Sequence, residues 1–150
     1  MSKIKAFRGK LTSDNSALNQ DTIHLAGGDV DKGYRLHKLQ IMPTSAHADL
    51  GAVVKVYKQK QSIVNEDIDF TEANLMGASI YRQDTANQYP ITHVVIFDRE
   101  VVNQDIYVTY RDNETAGGTI NYYLELEQVK MSKGEQAVVN FSAALLHGEP

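Results

Sequence analysis

The sequence predicts an all-β protein, an antiparallel β-sandwich or barrel followed by a short C-terminal helix. Three observations carry this. Short runs rich in Val, Ile, Thr and Tyr recur along the chain, separated by polar turn clusters. Within the runs apolar and polar residues alternate, the period of a strand with one buried face. A clear helical period begins only after Met131. The 150 residues suit a single domain, 1–150, large enough to bury its own core.

The first expected strand is Ile4 to Leu11, followed by a polar loop from Thr12 to Asp21. Thr22 to Leu25 is a short strand closed by Gly27-Gly28. Tyr34 to Met42 is the next. Its apolar positions Leu36, Leu39 and Ile41 change parity once, which predicts a bulge at His37 or Lys38. Pro43 ends it, because proline has no N–H for a ladder. Ala52 to Tyr57 alternates cleanly, with Ala52, Val54 and Val56 on one face and Val53, Lys55 and Tyr57 on the other.

Gln59 to Asp69 is polar and reads as loop. From Thr71 to Tyr81 a capped helix and a strand compete. Gly77 costs a helix about 1 kcal/mol relative to alanine, so the strand, Met76 to Arg82, is preferred. Ile91 to Phe97 and Asp105 to Arg111 are further strands. The segment INYYLELEQVKM, Ile120 to Met131, is the last, with Ile120, Tyr122, Leu124 and Leu126 on its apolar face. Ser132 to Glu135 has the form of a capping box, and Val138, Phe141 and Leu145 follow at helical spacing. A helix to about Leu146 is expected, with a strand from Ala137 to Phe141 as the alternative.

The last two strands invite a register. If a hairpin closes around Thr115, Ile106 faces Leu124, Val108 faces Tyr122 and Tyr110 faces Ile120, all on one apolar face. The second face then carries Tyr107 opposite Tyr123, with Thr109, Asn121, Glu125 and Glu127 around them and Asp105 opposite Glu125. Tyrosine is the one enrichment, 8 residues with no tryptophan. Its large apolar ring and polar tip suit an interface. Tyr107, Thr109, Asn121, Tyr123, Glu125 and Glu127 are therefore the candidate protein-interface residues. Like charges across a ladder need cations beside them, from this chain or a partner.

Composition narrows the chemistry. The absence of cysteine excludes disulfides and thiolate metal sites. A net charge of −4 is the wrong sign for a surface devoted to nucleic acid, so none is expected as a partner. No apolar run approaches the roughly 20 residues of a membrane helix, and MSKIKAFRGK lacks the apolar stretch of a secretory signal. Synthesis into a cytoplasm, with no membrane partner, is the expectation.

Glu125 and Glu127 lie on one strand face, about 6.5–7 Å apart along the backbone, a separation used by paired carboxylates in glycosidic chemistry. Alternation alone also places carboxylates on wet faces, and no cleft or raised pKa is indicated. Asp29 to Gly33 resembles part of a calcium loop. Its twelfth position is Gln40, which cannot give the bidentate carboxylate, and an acidic turn with Gly33 at a positive φ accounts for it as well. The five histidines are scattered, with no HxH or HExxH, and no GxSxG frames a serine. No catalytic residue, cofactor or metal is expected.

The stretch DREVVNQDIYVTYRDNETAGGTINYYLELEQVKM, from Asp98 to Met131, resembles small virion structural proteins of tailed, especially marine, bacteriophages. The likeness lies in DIYVTYRD, the glycine-bearing turn and INYYLELEQVKM. It implies a β-sandwich, often of jelly-roll type, acting as a capsid decoration or cement protein. Such a protein bridges major capsid subunits on the virion surface as a homo-oligomer, commonly a trimer. It brings no catalytic or ligand residues with it. A tail or head-fibre component and a carbohydrate-binding β-sandwich are the alternatives.

Overall fold

A computed structural model describes residues 3–13, 19–25, 31–44, 50–83, 90–97, 100–112 and 118–139. Nine strands are present among them: β1 (Lys3–Thr12), β2 (Gln20–Ile23), β3 (Lys32–Pro43), β4 (Leu50–Tyr57), β5 (Leu75–Gln83), β6 (Ile91–Ile96), β7 (Val101–Val102), β8 (Ile106–Asp112) and β9 (Thr119–Lys130). They form two antiparallel sheets. Sheet A has the order β1-β9-β3-β7, and sheet B the order β2-β8-β4-β5-β6. From β1 to β4 and again from β7 to β9 the chain changes sheet at every strand.

The expected strands are present with shifted ends: β2 lies two residues before Thr22 to Leu25, β6 stops at Ile96, and β8 and β9 are each displaced by one residue, while β7 was not expected. The parity change in β3 is a bulge: the register against β9 shifts between Leu36 and Lys38, so His37 is the extra residue. Pro43 is the last residue of that strand. The segment weighed between helix and strand is β5. Ser132 and Glu135 form the reciprocal capping box. The Ser132 N–H donates to Glu135 Oε1 at 3.4 Å and the Glu135 N–H to Ser132 Oγ at 3.3 Å. Residues 133–139 are helical, which overturns the strand alternative there. Val138, first of the expected apolar stripe, is exposed. Phe141, Leu145 and Leu146 lie outside the described residues, as do Gly27-Gly28 and Thr115.

The expected β8–β9 hairpin is not formed. β8 pairs with β2 and β4 in sheet B, and β9 pairs with β1 and β3 in sheet A. The apolar faces are those the alternation predicts. Ile106, Val108 and Tyr110 are buried, as are Ile120, Tyr122, Leu124 and Leu126, and all belong to one core. Two apolar strand faces can meet edge to edge in one sheet or face to face across a sandwich, and here the core lies between their sheets. Leu36, Leu39, Val54, Val56 and Met76 complete its centre. Burying each such side chain contributes about 1.5–3 kcal/mol.

Gly33 is also explained differently from the expected turn. Its backbone is not left-handed. A Cβ there would lie 2.5 Å from Val101 Cγ1, so glycine is needed for the approach of β7.

Candidate functional site

Separating β8 from β9 divides the expected interface. Tyr107 and Thr109 belong to sheet B, opposite Tyr57 and Lys55 of β4. Asn121, Tyr123, Glu125 and Glu127 belong to the outer face of sheet A, so the six residues do not form one surface. Thr109 is fully buried, its hydroxyl donating to the Lys55 carbonyl at 3.4 Å, and cannot touch a partner. Asp105 does not face Glu125. It caps the end of β2, accepting the Leu25 N–H at 2.9 Å and lying 3.3 Å from His24 Nδ1.

The outer face of sheet B is buried by the loop of residues 58–74. Lys55, on the strand face opposite Ala52, Val54 and Val56, is only 3% exposed. Its ammonium donates to Asn65 Oδ1 at 3.1 Å and to the Asp67 carbonyl at 2.6 Å, and lies 5.5 Å from the centre of the Tyr57 ring. Gln20 and Gln61 add a reciprocal pair of bonds from β2 to the loop. Burial lowers the Lys55 pKa against the opposing pull of Glu72, Asp67 and Glu66. Burial, and then Glu72, push the Tyr57 phenol up to about 12. A buried lysine with a lowered pKa marks catalytic sites in some proteins. This one is spent on loop carbonyl and amide oxygens, and serves as a latch.

On sheet A the carboxylates find partners within the chain. Arg35 donates to Glu127 at 2.8 Å. Tyr123 donates to Glu125 at 2.6 Å, a bond that raises its phenol pKa. Lys38 stands opposite Glu125 in the register, so β3 supplies the cations this face requires. The two glutamates sit on an open sheet face without a cleft between them, and the acid–base arrangement has no support here.

The cleft lies elsewhere. It has a volume of about 1000 Å³ and runs between sheet A and β6. One wall is β3 from His37 to Met42, continued across the sheet by Asn121, Tyr122 and Tyr123 of β9 and by Arg8, Gly9 and Lys10 of β1. Thr92, Val94 and Ile96 of β6 form the other. Their register against Tyr81, Ser79 and Gly77 places them on the sandwich-facing side of β6. Gly9 leaves room for the Tyr122 ring, since a Cβ would lie 2.6 Å from its hydroxyl. That hydroxyl donates to Asp21 Oδ2 at 2.8 Å, and burial followed by this bond pushes the phenol up.

Arg8, Lys10 and Lys38 border the cleft from the far side of sheet A, because their register partners Tyr123, Asn121 and Glu125 lie on its outer face. The edge beside the cleft is unusual. β6 carries no formal charge, all but its last residue are exposed, and Ile91, Val94 and Val95 stand in water.

Sequence reasoning missed this site. Gly9, Ile41 and Tyr122 lie far apart in the chain, and only the fold brings them to one wall facing β6. Gly9 inside a strand, and the uncharged run of β6, were the available signals. Among the described residues no group of three His, Asp or Glu is placed to hold a metal ion, and no helix is long and apolar enough to cross a membrane. Comparison with protein-family models, with curated proteins and with solved structures gave no match for the chain.

Proposed function

We propose that the protein is a non-enzymatic virion structural protein. In this reading it is a capsid decoration or cement protein that docks on the capsid surface and bridges major capsid subunits as a homo-oligomer, with a trimer favoured. The observation that carries the docking reading is β6. It is an edge strand, exposed on both faces, apolar and uncharged, with no ladder partner on its outer side among the described residues. Soluble proteins normally protect such an edge, and exposed apolar patches mark interaction sites.

Two further features support the virion context. Residues Asp98 to Met131 carry the likeness to phage structural proteins. With β6 set apart as an added edge, the other eight strands divide into β1-β9-β3-β7 and β2-β8-β4-β5. We read that winding as a jelly roll, an architecture used by viral capsid domains and also by lectins. Each docked copy would add buried area across a seam between capsid subunits and favour the closed shell by mass action. Asn121, Tyr123, Glu125 and Glu127 remain interface residues in this reading, as one outer face of sheet A.

Light scattering after size-exclusion chromatography and co-sedimentation with capsids test the proposal together. An oligomer that sediments with capsids is expected. A monomer that never does so removes the function.

A further inference from the structure

We propose that β6 pairs with β6 of a second copy of this chain, antiparallel across a two-fold axis, joining two B sheets into one. The inference rests on the docking reading above and names the occupant of the β6 edge. A two-fold contact closes at two copies, so it specifies a dimer where the resemblance favours a trimer.

The backbone decides which groups are free. The Phe97 N–H donates to the Met76 carbonyl at 2.9 Å, one step beyond the pairing of Gly77 with Ile96. Main-chain bonding in an antiparallel ladder alternates from residue to residue. Val95, His93 and Ile91 therefore bond towards β5, and Thr92, Val94 and Ile96 turn their N–H and C=O groups outwards. No strand meets those groups among the described residues. An identical strand can bond them in a register centred on Val94. There Val94 faces the partner's Val94 and Thr92 faces the partner's Ile96, each pair exchanging both N–H···O bonds.

The side chains suit the same register. Between the bonded pairs, Ile91 faces the partner's Phe97 and His93 faces the partner's Val95. Ile91, Val94 and Val95 are 50%, 41% and 39% exposed in the single chain, and the pairing covers them. Phe97 packs edge-on against Phe70, with ring centres 5.3 Å apart, so Ile91 meets an aromatic pair, a favourable cross-strand contact. β6 has no Asp, Glu, Lys or Arg, so no like charges are set opposite each other. Self-pairing of β1 would instead bring Lys3, Lys5, Arg8 and Lys10 of two copies together. The strand has only 6 residues, against roughly 20–30 a side in a standard stable interface. The dimer is therefore weak and concentration-dependent in solution, and is strengthened where two copies are held on one surface.

The test uses the full chain. Sedimentation equilibrium should show a monomer giving way to a dimer as concentration rises. Val94→Pro removes an N–H that faces away from β5, so it should raise the dimer Kd at least about tenfold while thermal unfolding stays close to native. Val94→Lys sets two ammonium groups opposite each other and should do the same. The chain has no cysteine, so Val94→Cys should oxidise to a disulfide-linked dimer, its two Cα atoms lying about 5.5 Å apart in a bonded pair. Ile91→Cys is exposed too, but its two thiols lie at opposite ends of the pairing and should not join. A chain that stays monomeric at every concentration, an oligomer unchanged by both Val94 variants, or cross-linking of Ile91→Cys as fast as that of Val94→Cys overturns the proposal. Co-sedimentation with capsids separates the two readings. If the native protein sediments with capsids but β6 fails these tests, this inference falls and the function stands. If β6 pairs but the protein never sediments with capsids, the function falls and the pairing stands.

Discussion

Asp112→Ala tests the least expected buried group in the protein. Asp112 is 7% exposed at the end of β8. Its Oδ1 accepts the Gly51 N–H at 3.2 Å and its Oδ2 accepts the Tyr110 hydroxyl at 3.0 Å. Its own N–H donates to Ser13 Oγ at 3.1 Å, and the Ser13 N–H donates to the Gly118 carbonyl at 2.8 Å. One carboxylate therefore ties β8 to β4 beside the exit of β1 and the entry to β9. Alanine leaves two buried donors without acceptors, at about 1–3 kcal/mol each, so a loss of about 4 kcal/mol is expected. Tyr110→Phe alone should cost about 1 kcal/mol, because the carboxylate keeps its other donors. The double variant should cost about 1–2 kcal/mol less than the sum, since no hydroxyl is left orphaned. Urea unfolding reads each value as a midpoint shift at constant slope. Strictly additive costs, or a loss below about 1 kcal/mol for Asp112→Ala, would refute the reasoning.

Alkaline pH should destabilise the fold. Burial raises the Tyr110 and Tyr122 phenols and takes Tyr57 to about 12. The folded state keeps protons that the unfolded chain releases near pH 10, so this stability is complete below about 10 and is lost as pH rises through the folded values. Lys55, with its lowered pKa, acts in the opposite direction, but it is one group against three. Urea midpoints falling between about pH 9 and about pH 11 check the sign. Lys55→Met should open the loop of residues 58–74 to hydrogen exchange while changing global stability by no more than about 1 kcal/mol, because two lost hydrogen bonds are offset by relief of a buried charge. Uniform acceleration across the core strands would contradict this latch. Gly9→Ala places a Cβ 2.6 Å from the Tyr122 hydroxyl and should cost about 2–3 kcal/mol in thermal unfolding. Tyr122→Phe, which loses only the bond to Asp21, should cost about 1 kcal/mol.

Strand identity was legible because it is written locally. The parity change of Leu36, Leu39 and Ile41 specifies the bulge, Pro43 the strand end, and Ser132 with Glu135 the helix start. Strand partnership was not. The alternation in Ile106–Tyr110 and Ile120–Leu126 shows which side chains share a core, but carries no information about whether the strands lie beside each other or across it. Burial on the outer face was equally hidden. Lys55 and Thr109 look like members of a wet face, and only the polar loop folded over them removes their water. Nothing around Asp112 in the sequence signals burial, and only Gly51, arriving from β4, supplies the buried N–H that its carboxylate accepts.

The same limit explains why the cleft could not be read from composition. A net charge of −4 describes the whole surface, while recognition depends on what the fold gathers in one place. The four sheet edges make the contrast. β1 carries Lys3, Lys5, Arg8 and Lys10, β2 has four residues, and β7 has two. Charge or shortness thus guards three edges against pairing with another chain. β6 has neither protection, and it borders the cleft along the stretch where β3 also lacks a partner. An unguarded edge is a hazard unless something covers it in use. Two exposed edges converging on one cleft fit an occupied position better than an oversight.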